Sequence, residues 1–260
     1  MKAFALATKI AHAFRMYPLA QQLRIWYDHH SPHGRKQFNT LTRFYSRFIS
    51  KGSLCFDIGA NVGDVTEIFL ALGASVISVE PQTVCLRALQ RRYGTNPNVS
   101  IVGKAVSEET GNTELYVCEY NSGISTMSPR WVKQSRYRDL FKWNKTVSIE
   151  TVTLDSLIDS YGLPQFCKID VEGFERQVLS GLTHSIPFIS FEFRFEMIDE
   201  VDKCLKLLNA LGVATFNYTL HGSMDFMEND WAVLGEFQTA FRKEITPTMS
   251  GDIYVKYSTD

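Results

Sequence analysis

Two glycines, an asparagine and two acids lie within the eleven residues FDIGANVGDVT (56–66), directly after an apolar run. Glycine gives room where the backbone bends sharply and comes near a ligand, and Asp57 can accept hydrogen bonds from loop amides or from a ligand ammonium group. A dinucleotide site would have G-x-G-x-x-G, but Asn61 replaces the middle glycine, and Asp64 would repel a phosphate. The stretch therefore predicts a site for a nucleoside without phosphates that carries a cationic or zwitterionic tail.

A further acid, Glu80, ends the next apolar run, 23 residues after Asp57. An acid roughly 20 residues further on binds the ribose in doubly wound sheets. Glu80 is therefore predicted to accept hydrogen bonds from both ribose hydroxyls.

Three more carboxylates follow apolar runs, namely Asp170 and Glu172 in KIDVEG and Glu192 in SFEF. Because the carboxyl ends of parallel strands meet at one edge of a sheet, these three are predicted to converge. One could act as a general base, or Asp170 and Glu192 could hold Mg²⁺, which would lower the pKa of an acceptor hydroxyl. Glu175 is interpreted as a cap of the helix that follows.

From Ser53 onward, β-rich runs alternate with helical ones, which is typical of a parallel sheet with crossover helices. The predicted strands of this alternation are SLCFDI, ASVISVE, NVSIVG, PQFCKID and PFISFEF. NTELYVCE and TVSIETVTL predict a hairpin around a polar insertion at about 120–145, and VATFNYTL, WAVLGE and GDIYVKY are predicted to be closing strands.

The 260 residues, 45% of them hydrophobic, can form a full core. We predict a basic helical arm at 1–50 and an α/β domain at 51–260. Residues 1–55 hold nine Lys or Arg and a single acid, and the first 17 residues have the spacing of a basic amphipathic helix. That helix could cap the domain, contact a neighbouring subunit, or lie on a membrane surface.

Five cysteines are scattered without C-x-x-C spacing, which is typical of the buried thiols of an intracellular protein. No stretch approaches the roughly 18 consecutive apolar residues that span a bilayer. A cytoplasmic location is predicted, with peripheral contact at a membrane surface as the alternative.

In order and spacing, FDIGANVGDVT, VISVEP, GKAVSEETG, KIDVEGFERQVLSG and ISFEFRFE resemble the signature blocks of FkbM-type methyltransferases. The resemblance covers roughly residues 53–197. It implies the doubly wound, Rossmann-like fold of class I methyltransferases, with a mostly parallel seven-stranded sheet and an antiparallel strand near the C-terminus. It also implies S-adenosylmethionine as methyl donor and a sugar hydroxyl of a glycan, glycolipid or glycosylated metabolite as acceptor.

The resemblance also assigns residues to the donor. Its methionine part would lie against Asp57, Gly59, Asn61, Val62 and Gly63, with Thr66 in the following helix, its ribose against Glu80, and its adenine near Ala105 and Val106. Asp170 would face both the sulfonium and the acceptor.

The acceptor side is predicted from the insertion and the histidines. The NSGISTM stretch (121–127) could line the pocket with Ser122, Gly123, Ser125 and Thr126, and His221 or His184 could act as a base. RWVKQSRYRDLFKWNK (130–145) has six basic residues and one acid, with aromatic residues between them. It could be a lid whose Trp131 packs on a sugar, a nucleic-acid-binding surface, or an ordinary amphipathic connection.

Several functions compete. A sugar O-methyltransferase is favoured over a nucleic-acid methyltransferase, because DVEG stands where amino-methylating enzymes have an Asn/Asp-Pro-Pro-aromatic run. A non-catalytic methyltransferase-fold binding or scaffold protein would predict a damaged glycine loop, and this loop is intact. An NAD-type oxidoreductase is disfavoured by the missing glycine and by Asp64.

Overall fold

The structure, a computed structural model, describes residues 31–221 and 223–258. The predicted amphipathic helix at the start of the chain lies outside these residues, so its membrane or subunit contact stays a prediction. The first described helix, α1 (Pro32–Tyr45), begins after Ser31, whose hydroxyl accepts a hydrogen bond from the Gly34 amide at 3.0 Å. Its aromatic residues pack against Phe166 and Tyr254 of the main sheet.

Seven strands form the main sheet, and helices connect most of these strands along the chain. In chain order, these strands and helices are β1 (Leu54–Ile58), α2 (Asp64–Ala71), β2 (Ser75–Val79), α3 (Thr83–Tyr93), β3 (Val99–Val102), β7 (Phe166–Ile169), α6 (Glu175–Ser180), β8 (Phe188–Arg194), α7 (Ile198–Ala210), β9 (Ala214–Leu220), α8 (Leu234–Glu244) and β10 (Ser250–Tyr257). The strand order is β3-β2-β1-β7-β8-β10-β9, and β10 runs antiparallel to both of its neighbours. The predicted doubly wound, mostly parallel seven-stranded α/β fold is thus confirmed.

A second, three-stranded sheet carries the insertion. Its strands β4 (Ala105–Val106), β5 (Gly111–Val117) and β6 (Lys145–Val152) have the order β4-β6-β5, and β5 pairs antiparallel with β6 as predicted. Residues 118–144 between them contain a 3-10 turn (Ser122–Ile124) and α4 (Pro129–Gln134). Helix α5 (Leu154–Tyr161) then leads from β6 to β7.

The prediction of a strand at WAVLGE was wrong. Ala232 makes an isolated bridge to Phe216, and helix α8 begins at Leu234. Phe237 and Phe241 are the buried residues of this helix, and their spacing of four is that of one helix face. The strand prediction rested on the short apolar run before Phe237 and overlooked the helical spacing of the two phenylalanines.

The remaining general features agree with the sequence. All five cysteines are buried and carry free thiols. Within the described parts of the chain, no helix has the length and apolar character needed to cross a membrane.

Candidate functional site

The loop between β1 and α2 is shaped by two glycines with positive φ. Gly59 has a φ of +84°, and a Cβ at this position would lie 1.9 Å from the carbonyl oxygen of Asp170. Gly63 has a φ of +87°, and a Cβ there would lie 2.6 Å from the ring of Tyr93. Both glycines are thus required by packing within the chain, whereas the sequence pattern suggested close approach of a ligand.

Asp57 lies beneath this loop and is 2% exposed. The Thr66 hydroxyl donates to its Oδ2 atom at 2.6 Å and lies 2.8 Å from the Ser78 hydroxyl. Burial raises the pKa of Asp57 to about 6, although the hydrogen bond from Thr66 opposes the shift. Asp57 and Thr66 therefore hold the loop from below.

A cleft opens at the carboxyl ends of β1, β2 and β7, where the strand order reverses and ligands of doubly wound sheets bind. Of the predicted residues, the lining includes Gly59, Asn61, Glu80, Ala105, Val106, Ser122, Ser125, Asp170 and Glu172. Of the other predicted donor contacts, Asp57, Val62, Gly63 and Thr66 are not among the lining residues.

Several other lining residues were not predicted, among them Gln82, Leu115 and Met127. Gln82 follows Glu80 by two residues, and Met127 ends the NSGISTM stretch that was assigned to the pocket. Their proximity to predicted residues was therefore a usable signal. Leu115 lies inside β5 and gave no such signal.

Backbone amides hold the carboxylate of Glu80. The Asn61 amide donates to its Oε2 atom at 2.9 Å, and the Gln82 amide donates to its Oε1 atom at 2.8 Å. Burial raises the pKa of Glu80 to about 7, and these two amides oppose the shift. Beside it, the Oε1 atom of Gln82 is buried and has no hydrogen-bond partner among the described residues.

The three carboxylates predicted to converge do so. Asp170, Glu172 and Glu192 each bring an oxygen within 4.8 Å of the others. Glu172 has an unusual φ of +54°, and the Thr126 hydroxyl donates to its backbone carbonyl at 2.8 Å. The insertion thus fixes the backbone that presents Glu172 to the cleft.

Arg194, at the end of β8, lies among these carboxylates. Its guanidinium donates to Oε2 of Glu192 at 3.0 Å and to Oε1 of Glu172 at 3.2 Å, and its Nη2 atom forms an ion pair with Oε1 of Glu192 at 2.8 Å. Burial raises the pKa of Glu172 to about 8 and that of Glu192 well above its usual range, and the charge of Arg194 opposes both shifts. Oε2 of Glu172 is buried and, within the described residues, has no partner.

Asp170 is bound to a different cation. Lys168 is 4% exposed, and its ammonium group donates to Asp170 at 3.2 Å and to Asp252 at 2.8 Å. Burial raises the pKa of Asp170, but the charges of Lys168 and Arg194 outweigh that effect and leave the pKa below its usual value. Asp170 is therefore ionised where it lines the cleft.

The chemistry of this cluster argues against the predicted Mg²⁺. Carboxylate oxygens are suitable ligands for the ion, and three of them lie close enough together. The Arg194 guanidinium, however, already donates to Glu172 and Glu192, so a cation bound by both would have to displace it. The chemistry at these carboxylates is therefore assigned to the protein's own groups.

Two predicted acceptor contacts lie outside the cleft lining. Trp131 is fully buried and packs on Arg194 and Tyr137, so neither face of its ring is open to a sugar. His221 is exposed, and its Nε2 atom lies 3.9 Å from Oε1 of Glu192. His184 instead contacts Asp155 at 3.1 Å.

Glu175 differs from its interpretation as a cap of the following helix. Its carboxylate turns back to accept hydrogen bonds from the amides of Val171 and Gly173, at 3.2 and 3.1 Å. It therefore stabilises the turn that carries Glu172.

The fold resembles solved methyltransferases. A precorrin-6y C5,15-methyltransferase from Geobacter metallireducens shares 12% identity with a TM-score of 0.44, over 83% of this chain and 86% of that chain. A SAM-dependent O-methyltransferase from Thermotoga maritima shares 9% identity with a TM-score of 0.42, over 86% of this chain and 66% of that chain. An rRNA methylase from Streptococcus thermophilus shares 11% identity with a TM-score of 0.41, over 84% of this chain and 94% of that chain. At these values the likeness says nothing about the acceptor.

No curated protein sequence matches the chain. The model of the methyltransferase FkbM domain family, in contrast, matches residues 57–221. This match begins at Asp57 and includes the glycine loop, Glu80 and the three converging carboxylates. The chain therefore belongs to the FkbM methyltransferase family and is an S-adenosylmethionine-dependent methyltransferase of that type.

Proposed function

We propose that the protein transfers a methyl group from S-adenosylmethionine to a hydroxyl group of a sugar, in a glycan, a glycolipid or a glycosylated metabolite. The observation that carries the proposal is the Glu172 carboxylate, which lines the cleft and has one buried oxygen without a partner among the described residues. A hydroxyl acceptor loses a proton during methylation, so it needs a base at that place.

The lining residues fit the donor. Glu80 retains lone pairs for ribose hydroxyls, and Ala105 and Val106 offer apolar surface for the adenine. The unpartnered Gln82 oxygen suits a donor such as the adenine amino group. Ionised Asp170 supplies negative charge for the positively charged end of the ligand.

When bound, S-adenosylmethionine supplies a methyl group on a positively charged sulfur. The acceptor oxygen would take the methyl group as the carbon–sulfur bond breaks, and the Glu172 carboxylate would accept the proton of the hydroxyl group. The products are a methyl ether and S-adenosylhomocysteine. Because burial raises the pKa of Glu172 to about 8, the fraction in the base form, and with it turnover, should rise as pH increases through that value.

The charges of the site support an uncharged acceptor. Lys168 pairs with Asp170 and Asp252, and Arg194 pairs with Glu172 and Glu192, so cations within the chain offset much of the negative charge. A polyhydroxyl compound needs no further counter-charge and can use the remaining carboxylate oxygens as acceptors.

The insertion gives little support to a nucleic-acid substrate. Arg130 pairs with Asp199, and Arg136 pairs with Glu196. These arginines of the 130–145 segment are therefore bound to acids of the same chain, and binding a phosphate would require them to break those pairs.

Calorimetric titration with S-adenosylmethionine and S-adenosylhomocysteine, followed by labelled-methyl transfer to a panel of sugars, tests the proposal. We expect both ligands to bind and Glu172→Gln to reduce turnover about 100- to 10,000-fold with unchanged ligand affinity. Glu114→Gln, an exposed change on β5, is the matched control. Full activity of Glu172→Gln would remove Glu172 as the base, and failure of both ligands to bind would favour a scaffold role.

A further inference from the structure

We propose that Arg194 is a positioning residue. Its guanidinium occupies the place of a divalent cation and orients Glu172 and Glu192 for the methyl transfer. This inference rests on the proposed role of Glu172. It adds that the acceptor end of the cleft works with a fixed guanidinium and needs no exchangeable metal ion.

The first argument is the hydrogen-bonding pattern. Arg194 uses Nε and Nη2 to bind both oxygens of Glu192, and the same Nη2 reaches Glu172. A guanidinium presents its donors in a rigid plane, so it can orient two carboxylates at once, as a metal ion does. Glu192 and Arg194 are two residues apart on β8, which places both side chains on the same face of the sheet.

The second argument is that Arg194 is itself fixed. Its guanidinium lies 5.1 Å from the ring centre of Trp131 and 5.5 Å from that of Tyr137, and it donates to the Tyr137 hydroxyl at 3.3 Å. Such cation–π contacts gain strength where water is excluded, and Arg194 is only 8% exposed. The buried Trp131, predicted to bind a sugar, therefore supports the arginine.

The third argument is the shape of the turn that carries Glu172. A Cβ on Gly173 would lie 3.2 Å from the Cβ of Trp131, so the insertion sits directly on this turn. The Thr126 hydroxyl binds the Glu172 carbonyl from the same insertion. The insertion thus holds the backbone of Glu172 through Thr126, and its Trp131 packs against Arg194, which binds the side chain of Glu172.

Removing the guanidinium should leave Glu172 and Glu192 without their cation, next to the ionised Asp170. The test is Mn²⁺ binding, followed by electron paramagnetic resonance, to wild type, Arg194→Met and the double variant Arg194→Met/Glu192→Gln. Mn²⁺ is the probe because it shares the preference of Mg²⁺ for carboxylate oxygens. We expect no Mn²⁺ bound at these carboxylates in wild type, binding in Arg194→Met, and loss of that binding in the double variant.

Turnover provides a second measurement. Wild-type turnover should be insensitive to a chelator. Arg194→Met should reduce turnover about 100-fold, which is the effect of a misplaced catalytic group. Methylguanidinium should restore part of the turnover, which would not follow from a merely structural role. S-adenosylhomocysteine affinity serves as the folding control, and Arg194→Lys, which keeps the charge but not the fork, should retain more stability than Arg194→Met.

Two results would overturn the inference. One is stoichiometric Mn²⁺ binding by the wild type that disappears in Glu192→Gln. The other is an Arg194→Met protein that binds S-adenosylhomocysteine normally but gains no Mn²⁺ site. The Mn²⁺ measurements need no acceptor, so they decide the role of Arg194 even if the proposed sugar acceptor proves wrong.

Discussion

The two ends of the cleft are held by different kinds of interaction. At the end formed by β1 and β2, backbone amides bind the Glu80 carboxylate. At the end formed by β7 and β8, the side chains of Lys168 and Arg194 bind Asp170 and Glu172. Backbone donors follow from the local loop conformation, whereas Lys168 also pairs with Asp252 of β10, and Arg194 of β8 pairs with Glu172 in the turn after β7. The first end should therefore tolerate changes elsewhere in the chain better than the second.

The largest effect is expected where the two ends touch. In Gly59→Ala, the new Cβ would clash with the Asp170 carbonyl, and the positive φ adds strain. We expect a loss of more than about 3 kcal/mol of unfolding free energy, since strain alone costs about 1–3 kcal/mol, together with loss of S-adenosylhomocysteine binding. Urea unfolding and calorimetry measure the two effects.

Gly52 is a matched control for this change, because its φ is +85° and a Cβ added there would have no atom within 4 Å among the described residues. Gly52→Ala should lower the free energy of unfolding only by the cost of its positive φ, about 1–2 kcal/mol. Equal losses in the two variants would mean that contact between the two ends does not require the glycine.

The ion-paired end can be broken at Lys168. Lys168→Met leaves Asp170 and Asp252 without their cation and should cost about 3 kcal/mol at neutral pH, the low end for a buried pair because the Asp170 side chain is 42% exposed. The pKa of Asp170 is lowered in the folded protein, so this contribution is present above the ordinary carboxyl pKa and is lost as pH falls through the folded value. Urea unfolding at several pH values should show wild type and variant converging in acid.

Lys203→Met, which removes an exposed pair with Glu200, should cost less than about 1 kcal/mol in the same experiment. If Lys168→Met is no more costly than this control, buried ion pairs do not hold the second end.

The end held by amides can be examined at Glu80. Glu80→Gln replaces one carboxylate oxygen by a donor facing an amide, and we expect about tenfold weaker S-adenosylhomocysteine binding, or about 1.4 kcal/mol. Because burial raises the pKa of Glu80 to about 7, wild-type affinity should increase as pH rises through that value. Calorimetry at several pH values should show no such increase in the variant, and an identical pH dependence in both would exclude Glu80 as its origin.

The smallest effect is expected at the edge of the insertion. Arg130→Ala removes a surface pair with Asp199 and should change stability by about 0.5 kcal/mol, without altering donor affinity. Thermal unfolding and calorimetry would detect a larger change. A large loss of affinity for RNA in this variant would instead revive the nucleic-acid alternative.

The sequence predicted best those features that depend on neighbours along the chain. The loop from Gly59 and the acid Glu80 lie at strand ends, and strand ends meet at one edge, so these residues and Asp170 could be brought together in advance. Arg194 was missed because its partners Glu172 and Tyr137 come from other elements, although its spacing from Glu192 was visible. Trp131 was misassigned because an aromatic residue in a polar segment resembles an exposed one when its cationic partner is distant in sequence.

The pairing of β5 with β6 has a consequence for protein engineering. The ladder runs in register from Gly111 opposite Thr151 to Val117 opposite Lys145, so it is complete without residues 118–144. That segment could therefore be exchanged between related enzymes to alter acceptor choice while the sheets remain intact. A functional replacement segment would have to keep a hydroxyl that donates to the Glu172 carbonyl and two aromatic rings that contact the Arg194 guanidinium. These three contacts are therefore the structural requirements for such an exchange.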